Sequence, residues 1–161
     1  MKTLVLLRHA KSSWEYAVAD RNRTLTERGM RRIEQMALNC SDIFIPADCF
    51  YSSPANRACH TASIALHTLK QPFDRLKIVE ELYTFEPLQV LRFINALPDV
   101  MNYVVCVGHN PAFTEVAAQL SGSSFFHLPT AAWAKLTFSQ SSWSAVSEGK
   151  LELGLPKEIL N

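Results

Sequence analysis

The chain has 161 residues, of which 48% are hydrophobic and 19% charged, enough for one domain with a hydrophobic core. Its 16 Lys and Arg against 15 Asp and Glu leave a formal net charge of +1, so no whole-molecule charge draws it onto nucleic acid or an anionic membrane. Cys40, Cys49, Cys59 and Cys106 form no CxxC pair, which gives little support to a disulfide framework or zinc site and points to free thiols in a reducing, cytoplasmic setting.

The opening residues MKTLVLLRHA carry an apolar stretch at 4–7, too short for a signal peptide and interrupted by Arg8. No later segment reaches the apolar length of a membrane span. TLVLL (3–7) reads as a first strand, and its unbroken apolar character suits a sheet covered on both faces. Residues 10–25 are polar and without period, hence a long loop. A helix follows from Thr26 as cap through Ile33 to Leu38, with Gly29 an awkward residue in its first turn. Arg28, Arg31 and Arg32 are expected on its solvent face.

CFYSS (49–53) reads as a second strand and ANRACHTASIAL as a helix, with Ser53 as cap and Pro54 at the first helical position. LKIV (76–79) is a third strand, and a helix runs from Pro87 to Leu97. YVVCV (103–107) is a fourth strand and meets GHNPAFTEVAAQL, where Asn110 and Pro111 repeat the cap-plus-proline pattern. AAWAKLTF and SAVSE read as two further strands joined by a turn at SQSS, an antiparallel element. Strands alternating with helices predict a three-layer α/β/α sandwich with a mostly parallel central sheet, one domain over 1–161. Trp133 is expected in the core, while Trp14 and Trp143 suit either core or interface.

Three strand exits carry chemistry-bearing groups: Arg8 and His9, then Arg57 after YSSPAN, then His109 and Asn110. If their strands run parallel, all three open on one sheet edge, where helix N-termini favour anions. Two guanidiniums match phosphate oxygens and stabilise their developing charge. A neutral imidazole can attack phosphorus, and water can then release the phosphoryl group. No carboxylate ligand set accompanies these residues, so neither a metal nor another cofactor is expected. His60, His67 and His127 lack such placement. GxxxxGK[ST], GxGxxG and GxSxG are all absent, and Cys59 sits within a helix without a phosphate-cradling loop.

These segments resemble the histidine phosphatase, or phosphoglycerate mutase-like, superfamily. LLRHA (6–10) is similar to its RHG motif with Ala10 in place of glycine, SPANRACHTA (53–62) to its second motif, and VGHNP (107–111) to its second-histidine motif. The resemblance implies a phosphoglycerate mutase-like fold, His9 as the phosphorylated nucleophile, and Arg8, Arg57 and His109 as the phosphate pocket. The short length and RNRTLTERG (21–29) look most like the SixA branch of protein phosphohistidine phosphatases. There Arg23 would add a phosphate contact, with Arg21 the alternative, and Glu81, or else Glu80, would be the general acid. The branch lacks the large inserted cap, which implies a shallow, open site.

The implied partner is a phosphohistidine-bearing protein such as a histidine phosphotransfer domain, with inorganic phosphate as product. A broad small-molecule phosphomonoesterase with the same core is the alternative, and a phospho-binding module is the non-enzymatic one.

Overall fold

The structure, a computed structural model, describes residues 1–124 and 127–160. Six strands form one sheet: β1 (Lys2–Arg8), β2 (Cys49–Ser52), β3 (Leu76–Ile78), β4 (Tyr103–Gly108), β5 (Trp133–Phe138) and β6 (Lys150–Gly154), in the order β3-β2-β4-β1-β5-β6. The first four run parallel, β5 runs antiparallel to β1, and β6 antiparallel to β5. The helices are α1 (Glu27–Asn39), α2 (Ser41–Phe44), α3 (Asn56–Thr68), α4 (Pro87–Asn95), α5 (Ala112–Ser121) and α6 (Pro156–Ile159).

The apolar strands are continuous because both faces are buried. Successive residues alternate between two cores. Leu4 and Leu6, with Val104 and Cys106, pack under α4 and α5. Val5 and Leu7, with Val105 and Val107, pack under α1 and α3. Trp133 and Trp143 are buried, whereas Trp14 is exposed. All four cysteines are free thiols. Among the described residues no helix is long and apolar enough to cross a membrane.

Two expectations are corrected. SAVSE is not the last strand: that strand is Lys150–Gly154, and Trp143–Ala145 is a 3-10 turn. Trp143 forces this. Its backbone N–H donates to Asp99 (2.8 Å) and its indole N–H to the Met101 carbonyl (2.8 Å), pinning the segment as a turn over the core. The helix after β2 begins at Asn56 and α5 at Ala112, so neither Pro54 nor Pro111 takes the first helical position. Ser53 Oγ does accept the Ala55 N–H (3.2 Å), but its other partner lies in the site described below.

Gly29 has a physical reason to interrupt a good helix. Thr26 caps α1 by accepting the Gly29 N–H (3.0 Å), and Thr26 N–H donates to the Lys11 carbonyl (2.9 Å). The helix thus docks on the backbone just beyond β1, and a methyl group at Gly29 would press into the Lys11 carbonyl oxygen. Helix propensity alone would make Gly29→Ala stabilising by about 1 kcal/mol. The steric conflict reverses the sign, and chemical denaturation of Gly29→Ala is expected to show a loss of about 1–3 kcal/mol.

Candidate active site

The parallel register brings the three exits together. Arg8 pairs with Gly108 across β1 and β4, and Ser52 with Val107 across β2 and β4. The next residues, His9, His109 and Ser53, therefore emerge side by side, and the two imidazole centroids lie 5.2 Å apart. A cleft of about 450 Å³ opens over them, lined by Arg8, His9, Arg23, Arg57 and His109 together with Lys11, Ser12, Trp14, Phe85, Asn110 and Thr130.

Hydrogen bonding defines both tautomers. His9 Nδ1 lies 2.7 Å from the Ala10 carbonyl, which can only accept, so Nδ1 carries the proton. The Nε2 lone pair is left toward the cleft, where Arg57 Nε donates to it at 3.3 Å. Arg57 Nη2 lies 3.4 Å from His109 Nδ1, making that nitrogen the acceptor, and His109 Nε2–H donates to Ser53 Oγ (2.8 Å). Burial drives the His9 pKa down to about 4, with Arg57 and Arg8 adding to it against the Ala10 hydrogen bond. Burial likewise drives His109 down to about 3, reinforced by His9 and Arg57. Both rings are neutral at pH 7.

Each guanidinium is held differently. Arg8 Nη1 donates to the Leu128 carbonyl (3.0 Å), while its buried Nε has no partner among the described residues. Such an orphan donor is costly unless an anion meets it. Arg23 is buried, donates to Ser12 Oγ (2.6 Å) and lies over the Trp14 ring at 3.3 Å. Arg57 is 2% exposed and spans His9, His109 and Asp20. Thr61 braces this corner: its Oγ1 donates to the Arg57 carbonyl (2.7 Å) and accepts the Ala10 N–H (3.0 Å). Ala10 does not take the left-handed backbone that glycine in that motif would allow.

Of the two arginines left open by the sequence, Arg23 lines the cleft. Arg21 instead forms a bidentate pair with Glu80, at 3.1 and 2.6 Å. Glu81 is exposed and outside the lining. Sequence reasoning passed over Asp20, Tyr83 and Phe85. Asp20 and Tyr83 meet through a 2.7 Å hydrogen bond, and both aromatic rings pack beside His109. The aperiodic loop holding Asp20 offered no signal. Among the described residues no three His, Cys, Asp or Glu side chains gather as metal ligands.

Paired neutral imidazoles among three guanidiniums, at the C-terminal edge of a mostly parallel sheet, form a site whose charge and donors suit a phosphoryl group. The comparisons name the chain's family. Residues 4–85 match the model of the histidine phosphatase superfamily, branch 1, and the chain belongs to that family. An uncharacterised protein of Mycobacterium tuberculosis is 32% identical over 120 residues, covering 73% of this chain and 72% of its own length. An uncharacterised chloroplastic protein of Arabidopsis thaliana is 29% identical over 76% of this chain, which spans only 61% of that relative.

Solved structures share the fold. A protein histidine phosphatase SixA complexed with tungstate superposes with TM-score 0.78 at 22% identity, over 97% of this chain and 98% of its own. The alpha-ribazole phosphatase of Shigella flexneri gives 0.68 at 18%, over 87% and 92%. A mycobacterial glucosyl-3-phosphoglycerate phosphatase gives 0.67 at 14%, over 96% and 98%.

Burying two neutral imidazoles ties stability to pH. In the unfolded chain both protonate near pH 6.5, but in the fold only near 4 and 3. The unfolded state therefore binds more protons between these values. The contribution is full above pH 6.5 and is lost as pH falls through the folded values, on the order of a few kcal/mol for the pair. Urea denaturation at pH 7.5 and 5 is expected to show this loss in the wild type and a smaller one in His109→Gln.

Proposed function

We propose that the chain is a metal-independent phosphatase of broad specificity, acting on small phosphorylated molecules whose leaving groups are weak bases. The observation that carries this reading is the make-up of the cleft: two neutral imidazoles and three guanidiniums, with no carboxyl group in the lining. His9 Nε2 attacks phosphorus, the bond to the leaving group breaks, and the leaving group takes its proton from water at the open mouth. Water then attacks the phosphohistidine, returning His9 to its neutral form and releasing inorganic phosphate.

Arg8, Arg23 and Arg57 hold the phosphoryl oxygens, and their charge matters most where negative charge gathers in the transition state. A bound phosphoryl dianion favours uptake of a solvent proton at His109 Nδ1, and the N–H so formed donates to a phosphoryl oxygen. Without a carboxylic acid to protonate the departing oxygen, alkoxide leaving groups are disfavoured and aryl oxides favoured. Glu81 does not line the cleft, so this reading leaves it no part in the chemistry. The fold also serves phosphatases of small molecules, as the alpha-ribazole and glucosyl-3-phosphoglycerate enzymes illustrate.

A second reading, removal of phosphate from a phosphohistidine-bearing protein such as a histidine phosphotransfer domain, draws on the same missing carboxyl. A neutral imidazole is a good leaving group from phosphorus. The solved SixA structures support it by fold alone.

Phosphate release without added metal tests both, using an aryl phosphate, an alkyl phosphate and a phosphorylated histidine phosphotransfer domain. The expected result is aryl phosphate turnover at least ~10²-fold faster than alkyl, falling ~10³-fold or more in His9→Ala. Turnover confined to the phosphoprotein would move the assignment to the second reading. Phosphate binding with no turnover of any substrate would make the chain a phospho-binding module.

A further inference from the structure

Asp20 lies on the 3-10 turn Asp20–Asn22, within the long loop after β1. Its carboxylate is the only one paired with Arg57 among the described residues, at 3.0 Å from Nη2. Its backbone carbonyl accepts from Nη1 at 2.7 Å. The outer fork of Arg57 is thus taken up by one residue, while Nε faces the His9 lone pair. The carboxylate is itself held from two other sides, by the Tyr83 hydroxyl (2.7 Å) and Arg23 Nη1 (3.3 Å).

Burial works to raise the Asp20 pKa, but the hydrogen bonds from Tyr83 and Arg57 outweigh it and bring it down to about 2. The group is an anion throughout the working range. Its side chain is 39% exposed against 2% for Arg57, so it can yield position more readily than the arginine it holds.

A phosphoryl group needs the donors that this carboxylate occupies. An aspartate and a phosphate oxygen are alike as acceptors for a guanidinium fork. Two anions sharing one fork also repel each other across a partly dehydrated site. We propose that Asp20 is a positioning residue whose carboxylate steadies the Arg57 fork between turnovers and competes with phosphate for it, weakening product retention. The proposal rests on the phosphatase reading above.

Asp20→Asn and Asp20→Ser remove the charge and leave the backbone acceptor for Nη1 in place. Calorimetric titration with inorganic phosphate is expected to show about three- to tenfold tighter binding in both. In aryl phosphate turnover, kcat and KM are expected to fall together, and Asp20→Glu, which keeps the charge, is expected to restore values toward the wild type. A merely structural role would instead weaken binding. Unchanged or weaker phosphate binding overturns the proposal, as does failure of both variants to fold. Aryl phosphate turnover that is lost in His9→Ala keeps the phosphatase reading standing whichever way Asp20 falls. Absence of turnover of the aryl phosphate, the alkyl phosphate and the phosphoprotein alike in the wild type brings down both.

Discussion

The parallel pairing of β1 with β4 is the constraint on which the site depends. Arg8 stands opposite Gly108, and the His9 N–H donates to the Gly108 carbonyl at 3.1 Å. A slip of one residue would send every side chain of β1 to the opposite core. Leu4 and Leu6 could not then pack under α4 and α5 while Val5 and Leu7 pack under α1 and α3. The apolar alternation that holds the sheet together is thereby the device that sets the two imidazoles at one level. Gly108 belongs to the same device, since a side chain there would run into the Phe113 ring.

This placement has an electrostatic consequence. Three guanidiniums line one cleft, and among the described residues only Asp20 forms ion pairs with any of them, with Arg57 and Arg23. Burial lowers the Arg8 pKa, a sign that its charge is poorly solvated. The cationic surroundings also press both imidazoles toward neutrality, in the same direction as burial. A positive field that would be a liability for folding thus adds to burial in keeping both imidazoles unprotonated. An arriving phosphoryl dianion relieves the same field, so fold and ligand are complementary in charge.

Where apolar pattern carried the information, the sequence was easy to read. The parallel strands, the Thr26 cap and the common edge for Arg8, His9, Arg57 and His109 all followed from hydrophobic runs and their polar ends. The last strand is misplaced when SAVSE is read as it, although KLELG carries the strict polar–apolar alternation of a strand with one buried face. What holds SAVSE out of the sheet is not local: Trp143 bonds to Asp99 and Met101, some 40 residues distant. Asp20 and Tyr83 were illegible for a related reason. Their contact joins an aperiodic loop to the turn after β3, a pairing that no local spacing encodes. Choosing between Arg21 and Arg23 likewise required knowing that Glu80 captures the former.

The arrangement of carboxylates follows a single logic. Glu80 is paired with Arg21 and Asp20 with Arg57 and Arg23, and neither they nor Glu81 are among the residues that line the cleft. Glu80 and Glu81 thus stay clear of the guanidiniums that line the cleft, and only Asp20 shares them. A carboxylate in that lining would repel the incoming dianion unless it were protonated, and among so many guanidiniums a proton would be hard to keep. The field that adds to burial in keeping His9 neutral therefore works against a carboxylic acid in the same cleft. On the proposed phosphatase reading, the same charge that draws in a phosphoryl group and keeps His9 neutral leaves no acid to deliver a proton to the departing atom, and the chemistry of the leaving group has to make good that loss.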